Sequence, residues 1–239
     1  MFKDLKESVW KANLDLVRQG LVVLTFGNAS GADRARGVLA IKPSGVGYDA
    51  LKPSDIVVVD FQGRVVEGRL KPSSDTPTHI ELYRAFSGIG GVVHAHSLHA
   101  TMFAQAGRAI PCLGTTHADY FKGPVPVTRL ASAREAGKDY EAATGRLIVG
   151  RFRRLDPLET PGVLVAGHGP FAWGASVEEA VRNALVLETV ARTAWGTLAL
   201  TGGRGRTLPA HLVRRHFGRK HGPGAYYGQG QDKSKETSS

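Results

Sequence analysis

Short apolar runs bounded by glycine alternate along this chain with stretches of helical periodicity, and no other feature narrows its fold so far. The runs Val38–Ile41, Ile56–Val59, Arg64–Glu67, Gly91–His96 and Gly162–Ala166 are too short for helices and read as strands. Gln62-Gly63 joins the second and third of them as a hairpin. Around them, Leu5, Val9, Ala12 and Leu16 recur at helical spacing over Asp4–Gln19, with Gly20 as a stop. Leu21–Phe26 is an apolar run broken by the small-residue turn Gly27-Asn28-Ala29-Ser30-Gly31. Thr76-Pro77 opens a helix carrying Ile80, Leu82, Tyr83 and Phe86, with Thr as the cap and Pro in the first turn, where its missing N–H is no loss. Leu98–Ala106 reads as another helix, Ser176-Val-Glu-Glu179 as a capping box opening a long one to about Trp195, and Pro209–Phe217 as a short basic one. Strands alternating with helices, some through hairpins, predict a three-layer or mixed-sheet α/β fold.

The 239 residues suit one domain, expected over 1–228, and Gln229–Ser239 lacks the apolar content to pack, so a disordered polar tail is expected at 229–239. Cys112 stands alone, which rules out an internal disulfide framework and points to a reducing, cytoplasmic setting. No apolar run reaches the ~18–20 residues of a membrane span, and the charged N-terminus has no signal core. The net charge of +10 is unevenly spread: Arg204, Arg206, Arg214, Arg215, Arg219 and Lys220 fall between Gly203 and His221 without an acidic residue, and Arg151, Arg153 and Arg154 form a second cluster. A solvated basic face, a small phosphorylated substrate and an acidic macromolecule all fit that pattern. Zinc-finger, KH and RNP patterns are missing and aromatics do not interleave the basic stretch, so no nucleic-acid partner is expected.

Nine histidines hold the most chemistry. In His94-Ala95-His96, on a strand, the two imidazoles fall on one side. His168 follows another strand, between two glycines that permit close approach. Three neutral histidines with one open position describe a catalytic zinc site, although spacing alone leaves an ordinary pair of strand side chains equally open. Gly27-Asn28, Lys42-Pro43-Ser44-Gly45 and Ser73-Ser74-Asp75 put small polar or basic groups in turns, the parts that bind a phosphate or polyol. Asp75, directly before Thr76-Pro77, reads slightly better as a helix-capping residue. Thr115-Thr116-His117-Ala118-Asp119-Tyr120 offers acid–base groups, and the basic stretch to His221 is followed by the phenols Tyr226 and Tyr227.

From Leu5 to Gln229 the chain resembles the class II aldolase (aldolase/adducin head) family. The resemblance is carried by Gly27-Asn-Ala-Ser, Ile41-Lys-Pro-Ser-Gly-Val, Lys71-Pro-Ser-Ser-Asp-Thr-Pro-Thr-His, Val93-His-Ala-His-Ser and Gly167-His-Gly-Pro-Phe-Ala-Trp-Gly. Gly114-Thr-Thr-His-Ala-Asp-Tyr and Ala225-Tyr-Tyr-Gly-Gln resemble the epimerase branch of that family. The resemblance implies a three-layer α/β/α fold around a mixed, largely antiparallel sheet. It implies one Zn²⁺ per subunit, replaceable by Mn²⁺ or Co²⁺, on His94, His96 and His168, with Asp75 as a fourth ligand or an acid/base. Asn28, Lys42, Ser44, Ser73 and Ser74 would hold the phosphate of a small sugar substrate. It implies a C4 homotetramer with shared active sites, in which Thr115, Asp119, His216, Arg219 and Tyr227 reach in from the neighbour, with Asp119 and Tyr227 as opposed acid/base groups. The activity implied is interconversion of L-ribulose 5-phosphate and D-xylulose 5-phosphate. The carbon inverted, C4, has no adjacent carbonyl to acidify it, whereas the C2 carbonyl suits retro-aldol cleavage of C3–C4 and re-addition. A fuculose- or rhamnulose-phosphate-type aldolase is the near alternative, and a non-catalytic binding module the distant one. Ala29 in place of a bulkier residue, the Gly-Arg-Gly-Arg segment at 203–206 and the polar tail depart from the family's pattern.

Overall fold

The structure, a computed structural model, describes residues 1–221 and 225–226. Seven strands, β1 (Asn28–Asp33), β2 (Val38–Ile41), β3 (Val57–Asp60), β4 (Val65–Glu67), β5 (Gly91–His94), β6 (Gly162–Leu164) and β7 (Pro170–Gly174), form one sheet in the order β4-β3-β2-β1-β5-β7-β6. Among the described residues seven α-helices accompany them: α1 (Lys3–Arg18), α2 (Thr76–Ala85), α3 (Leu98–Gln105), α4 (Thr115–Ala118), α5 (Tyr140–Arg151), α6 (Val177–Leu200) and α7 (Ala210–His221). Every ladder of the sheet is antiparallel, and among the described residues the parallel pairing is the isolated bridge Val127–Leu164.

The two-residue period of the strands splits the core into two layers. Val38, Ala40, Val58, Val93 and Ala172 face the side of α1, α3 and α6. Their neighbours Leu39, Ile41, Val57, Val59, Val92, Phe171 and Trp173 face the side of α2 and α5. Helices on both faces bury the sheet and make the predicted three-layer α/β/α arrangement. No helix of the described residues is long and apolar enough to cross a membrane.

Three readings of the sequence change. The stretch expected as a small-residue turn, Gly27–Gly31, contains the start of the central strand β1: its small side chains let α1 and α2 close on both faces, and Asn13 of α1 uses its amide to bond Ala29 N (2.9 Å) and Ala29 O (3.0 Å). The strand at Gly91 ends at His94, so His96 lies just beyond it. Helix α5 and strand β7 have no counterpart among the expected elements. Tyr227 and the tail 229–239 lie outside the described residues.

Candidate active site

Register sets the first side chain of the site. Asn28, His94 and Phe171 stand opposite one another on β1, β5 and β7 and so share a face. The His94 ring stacks on Phe171 (4.1 Å, 14°), and its Nδ1 lies 3.0 Å from Pro170 O. A carbonyl can only accept, so Nδ1 carries the proton and Nε2 turns a lone pair toward the cleft. His96 brings its Nε2 to 3.1 Å from that nitrogen. The segment bearing it is anchored by Glu188 of α6, which accepts from His99 N (2.9 Å) and Ala100 N (3.0 Å) in the first turn of α3. His168 sits in the tight β6–β7 turn, where Gly167 adopts φ 71° and a Cβ on Gly169 would lie 2.8 Å from Ala95 O. Its ring centre is 4.7 Å from His94 and 5.1 Å from His96.

One nitrogen from each of the three rings lies within 4.8 Å of the others. An ion bonded tetrahedrally at ~2.0–2.1 Å holds two imidazole nitrogens ~3.3 Å apart, close to the His94–His96 separation. His168 Nδ1 is buried without a hydrogen-bond partner. The His94 lone pair, a second imidazole nitrogen 3.1 Å from it and the all-imidazole donor set fit a divalent transition metal. Burial lowers the pKa of His96, with His94 adding to it, and lowers that of His168 to about 4 with help from His94 and His96. Both rings are therefore neutral at pH 7, as ligation requires.

Asp75 does precede α2, but its side chain makes no capping bond. Its Oδ2 instead accepts from Asn28 Nδ2 at 2.7 Å, which corrects the capping role favoured by the sequence. Burial pushes its carboxyl up, yet His94, His79, the Asn28 bond and His168 outweigh burial and hold it below the ordinary value. Deeper in the core, His79 is kept neutral by burial, its pKa lowered to about 3.

Beside the imidazoles, two loops are zipped together. Ser44 N donates to Lys71 O (2.9 Å), Ser73 N donates to Lys42 O (3.0 Å), and Pro43 bridges Pro72. This brings Lys42, Ser44, Ser73 and Ser74 to one wall of a cleft of about 440 Å³ that also takes in Asn28, Asp75, His94, His96 and His168. Lys42 is only 2% exposed, and its Nζ reaches Pro43 O at 3.5 Å and the Tyr48 ring at 4.8 Å. A buried ammonium with so little around it is arranged for an anion, and burial lowers its pKa.

The remaining predicted residues that fall among the described ones gather elsewhere. Asp119, at the end of α4, accepts from Arg219 Nε (2.8 Å) and Nη2 (2.5 Å) of α7, with His216 Nδ1 at 3.1 Å and Lys220 Nζ at 3.9 Å. Burial raises its carboxyl, but the Arg219 and His216 bonds prevail and keep it ionised. Thr115 is exposed one turn earlier. None of these residues lines the imidazole cleft of its own chain. The sequence reading misses Tyr140, Glu141 and Thr144, the wall supplied by α5, with the Tyr140 ring 6.1 Å from His168.

The profile of the class II aldolase and adducin N-terminal domain matches residues 7–195. The chain is 54% identical over 225 residues, 94% of its length, to proteins named L-ribulose-5-phosphate 4-epimerase UlaF from Salmonella paratyphi A and Salmonella typhi, 98% of each being covered. Among solved structures, an L-fuculose 1-phosphate aldolase superposes with a TM-score of 0.76 at 29% identity, covering 90% of this chain and 95% of that one. The L-fuculose-1-phosphate aldolase of Thermus thermophilus gives 0.67 at 26% identity, over 84% and 99%. The fold, the three converging imidazoles and these relatives agree: the chain belongs to the class II aldolase and adducin N-terminal domain family.

Proposed function

We propose that this protein is a metal-dependent epimerase that interconverts L-ribulose 5-phosphate and D-xylulose 5-phosphate by opening and re-forming the C3–C4 bond. The observation that carries the reading is a three-imidazole cluster sharing one cleft with a buried lysine that has no carboxylate partner among the described residues. The names of the 54%-identical relatives support the choice of substrate. His94, His96 and His168 would hold Zn²⁺, with Asp75 beside it, and the ion when bound supplies Lewis-acid stabilisation of the negative charge that bond cleavage creates.

The chain's own residues do the rest. Lys42, with Ser44, Ser73, Ser74 and Asn28, grips the phosphate, which belongs to the aldehyde fragment once C3–C4 opens. An anchored phosphate lets that aldehyde turn its other face without escaping, which is what separates epimerisation from fragment release. Inversion needs a proton donor and acceptor on opposite sides of the C4 oxygen, and Asp119 and Tyr227 are assigned those roles. Arg219 and His216 fix the Asp119 carboxylate, and Thr115 lies one turn before it, its carbonyl accepting from Asp119 N at 2.9 Å. Since Thr115, Asp119, His216 and Arg219 stand outside the imidazole cleft of their own chain, they would serve the cleft of a neighbour in a C4 homotetramer. One buried free cysteine suits a reducing cytoplasm.

The fold shared with fuculose-phosphate aldolases keeps one second reading open, cleavage with release of both fragments. Zinc-loaded protein supplied with L-ribulose 5-phosphate is expected to yield D-xylulose 5-phosphate with no accumulation of free aldehyde. Stoichiometric aldehyde release would replace the epimerase with an aldolase. His96→Asn is expected to lose bound zinc and turnover while keeping the circular dichroism of the parent; normal turnover without metal would dismiss the site.

A further inference from the structure

Asp75, His79 and Tyr83 follow one another at four-residue spacing from the entry of α2, so they line one side of that helix. Opposite them, β1 presents Asn28 and Ser30, two residues apart and on the same face. The two rows are bonded rung by rung. Asn28 Nδ2 donates to Asp75 Oδ2 (2.7 Å), Ser30 Oγ lies 2.7 Å from His79 Nδ1 and 2.9 Å from Tyr83 OH, and Tyr83 OH donates to Ser30 O (3.0 Å). Ser30, His79 and Tyr83 are each 0% exposed. The ladder therefore runs from the floor of the cleft into an apolar layer made by Ile41, Ile80, Val92 and Phe171.

Apolar contacts are non-directional and tolerate a helix that rolls or slides on its sheet by a fraction of a residue. A hydrogen bond inside an apolar layer does not, because losing it strands two buried polar groups. The roll of α2 decides where Asp75 points, and the first rung is shared with the site itself. The second rung is the one that belongs to the core. His79 makes it with Nδ1 alone, its Nε2 being buried without a partner.

We propose that His79 is a positioning residue: by its bond to Ser30 it fixes the roll of α2 on β1 and so holds the Asp75 carboxylate against the three imidazoles. This rests on the reading of His94, His96 and His168 as metal-holding groups. Loss of such an outer-shell contact typically costs 10–100-fold in metal affinity or activity.

The test compares His79→Leu, which fills the space without the bond, with His79→Asn, whose amide reaches the Nδ1 position, and with Ser30→Ala. Metal-stripped protein is titrated with Co²⁺, read by its d–d absorption, and turnover is measured separately. His79→Leu and Ser30→Ala are expected to weaken Co²⁺ binding about 10- to 100-fold, to alter the d–d band and to lower kcat similarly. His79→Asn is expected to stay within about threefold of the parent. In an Asp75→Asn background, His79→Leu should add less than about threefold, because its effect passes through Asp75. A folded His79→Leu protein with parental Co²⁺ affinity and spectrum, or a loss that multiplies fully with that of Asp75→Asn, overturns the proposal. Should His79→Leu fail to fold, Ser30→Ala bears the same comparison, since Tyr83 keeps its bond to the main chain. Parental Co²⁺ binding that responds to these changes, without epimerisation of L-ribulose 5-phosphate, refutes the proposed substrate and leaves the positioning role standing. Failure of the parent to bind Co²⁺ refutes both.

Discussion

A lysine with its ammonium buried and, among the described residues, no hydrogen-bond acceptor nearer than a carbonyl at 3.5 Å is costly to the free protein, and Lys42 carries that cost in the cleft wall. Lys42→Met is expected to raise KM for the sugar phosphate about 10- to 100-fold, since hydrogen bonds to charged groups are worth roughly 1.5–3 kcal/mol. The same change should raise Tm, because an apolar side chain of similar length replaces an uncompensated cation. Initial rates and thermal melts check both halves; unchanged KM with a lower Tm would make Lys42 a packing residue. Single residues of this kind are partly legible in the sequence. His94 is readable from its place on an apolar strand and His168 from its glycine neighbours, whereas His96 lies just past the strand end and is aimed by a segment that Glu188 of α6 anchors. Asp75 is not readable, since its choice between capping α2 and bonding Asn28 depends on a residue 47 positions away.

At the level of elements, α5 is where the sequence is least readable. Its segment Tyr140–Arg151 contains Gly145 and Gly150, which lower helix propensity and blur the apolar stripe. Gly145 has a tertiary reason to be there: a Cβ would come 2.6 Å from Glu81 Cβ and 3.1 Å from Thr78 O, so its absence lets α5 close on α2. Thr78 Oγ1 then donates to Glu141 O at 2.6 Å. Gly145→Ala is expected to cost about 1–3 kcal/mol by overpacking and to push the wall of Tyr140, Glu141 and Thr144 outward. Urea unfolding and KM measure the two effects, and full parental stability would show that the helices can give way. Strand β1 is hidden for a related reason. Asn-Ala-Ser-Gly has turn chemistry, and only burial between two helical layers makes it a strand. Helices α1, α2, α3 and α6, by contrast, carry their apolar periods or entry signals within themselves.

For the molecule as a whole, acid is the weak side. Burial holds the His117 pKa down at about 4 from 6.5, and its Nε2 donates to Gly123 O at 2.7 Å. The unfolded chain takes up that proton first, so the contribution is complete above pH 6.5 and is lost as the pH falls toward 4, about 3 kcal/mol across the window. Protonation also adds to a chain already at +10, increasing self-repulsion. Stability of the metal-free protein should therefore fall between pH 7 and pH 5, and fall less in His117→Gln, which keeps the donor but does not titrate. Urea midpoints at the two pH values decide; equal slopes would remove His117 from the account. The separation of the Asp119 cluster from the imidazole cleft has a genetic consequence in the proposed assembly. Two alleles, one defective in His96 and the other in Asp119, would complement each other, because a mixed ring places the sound half of one polypeptide against the sound half of the next. Chains coexpressed in equal amounts should regain about a quarter of the parental rate, although each alone is dead.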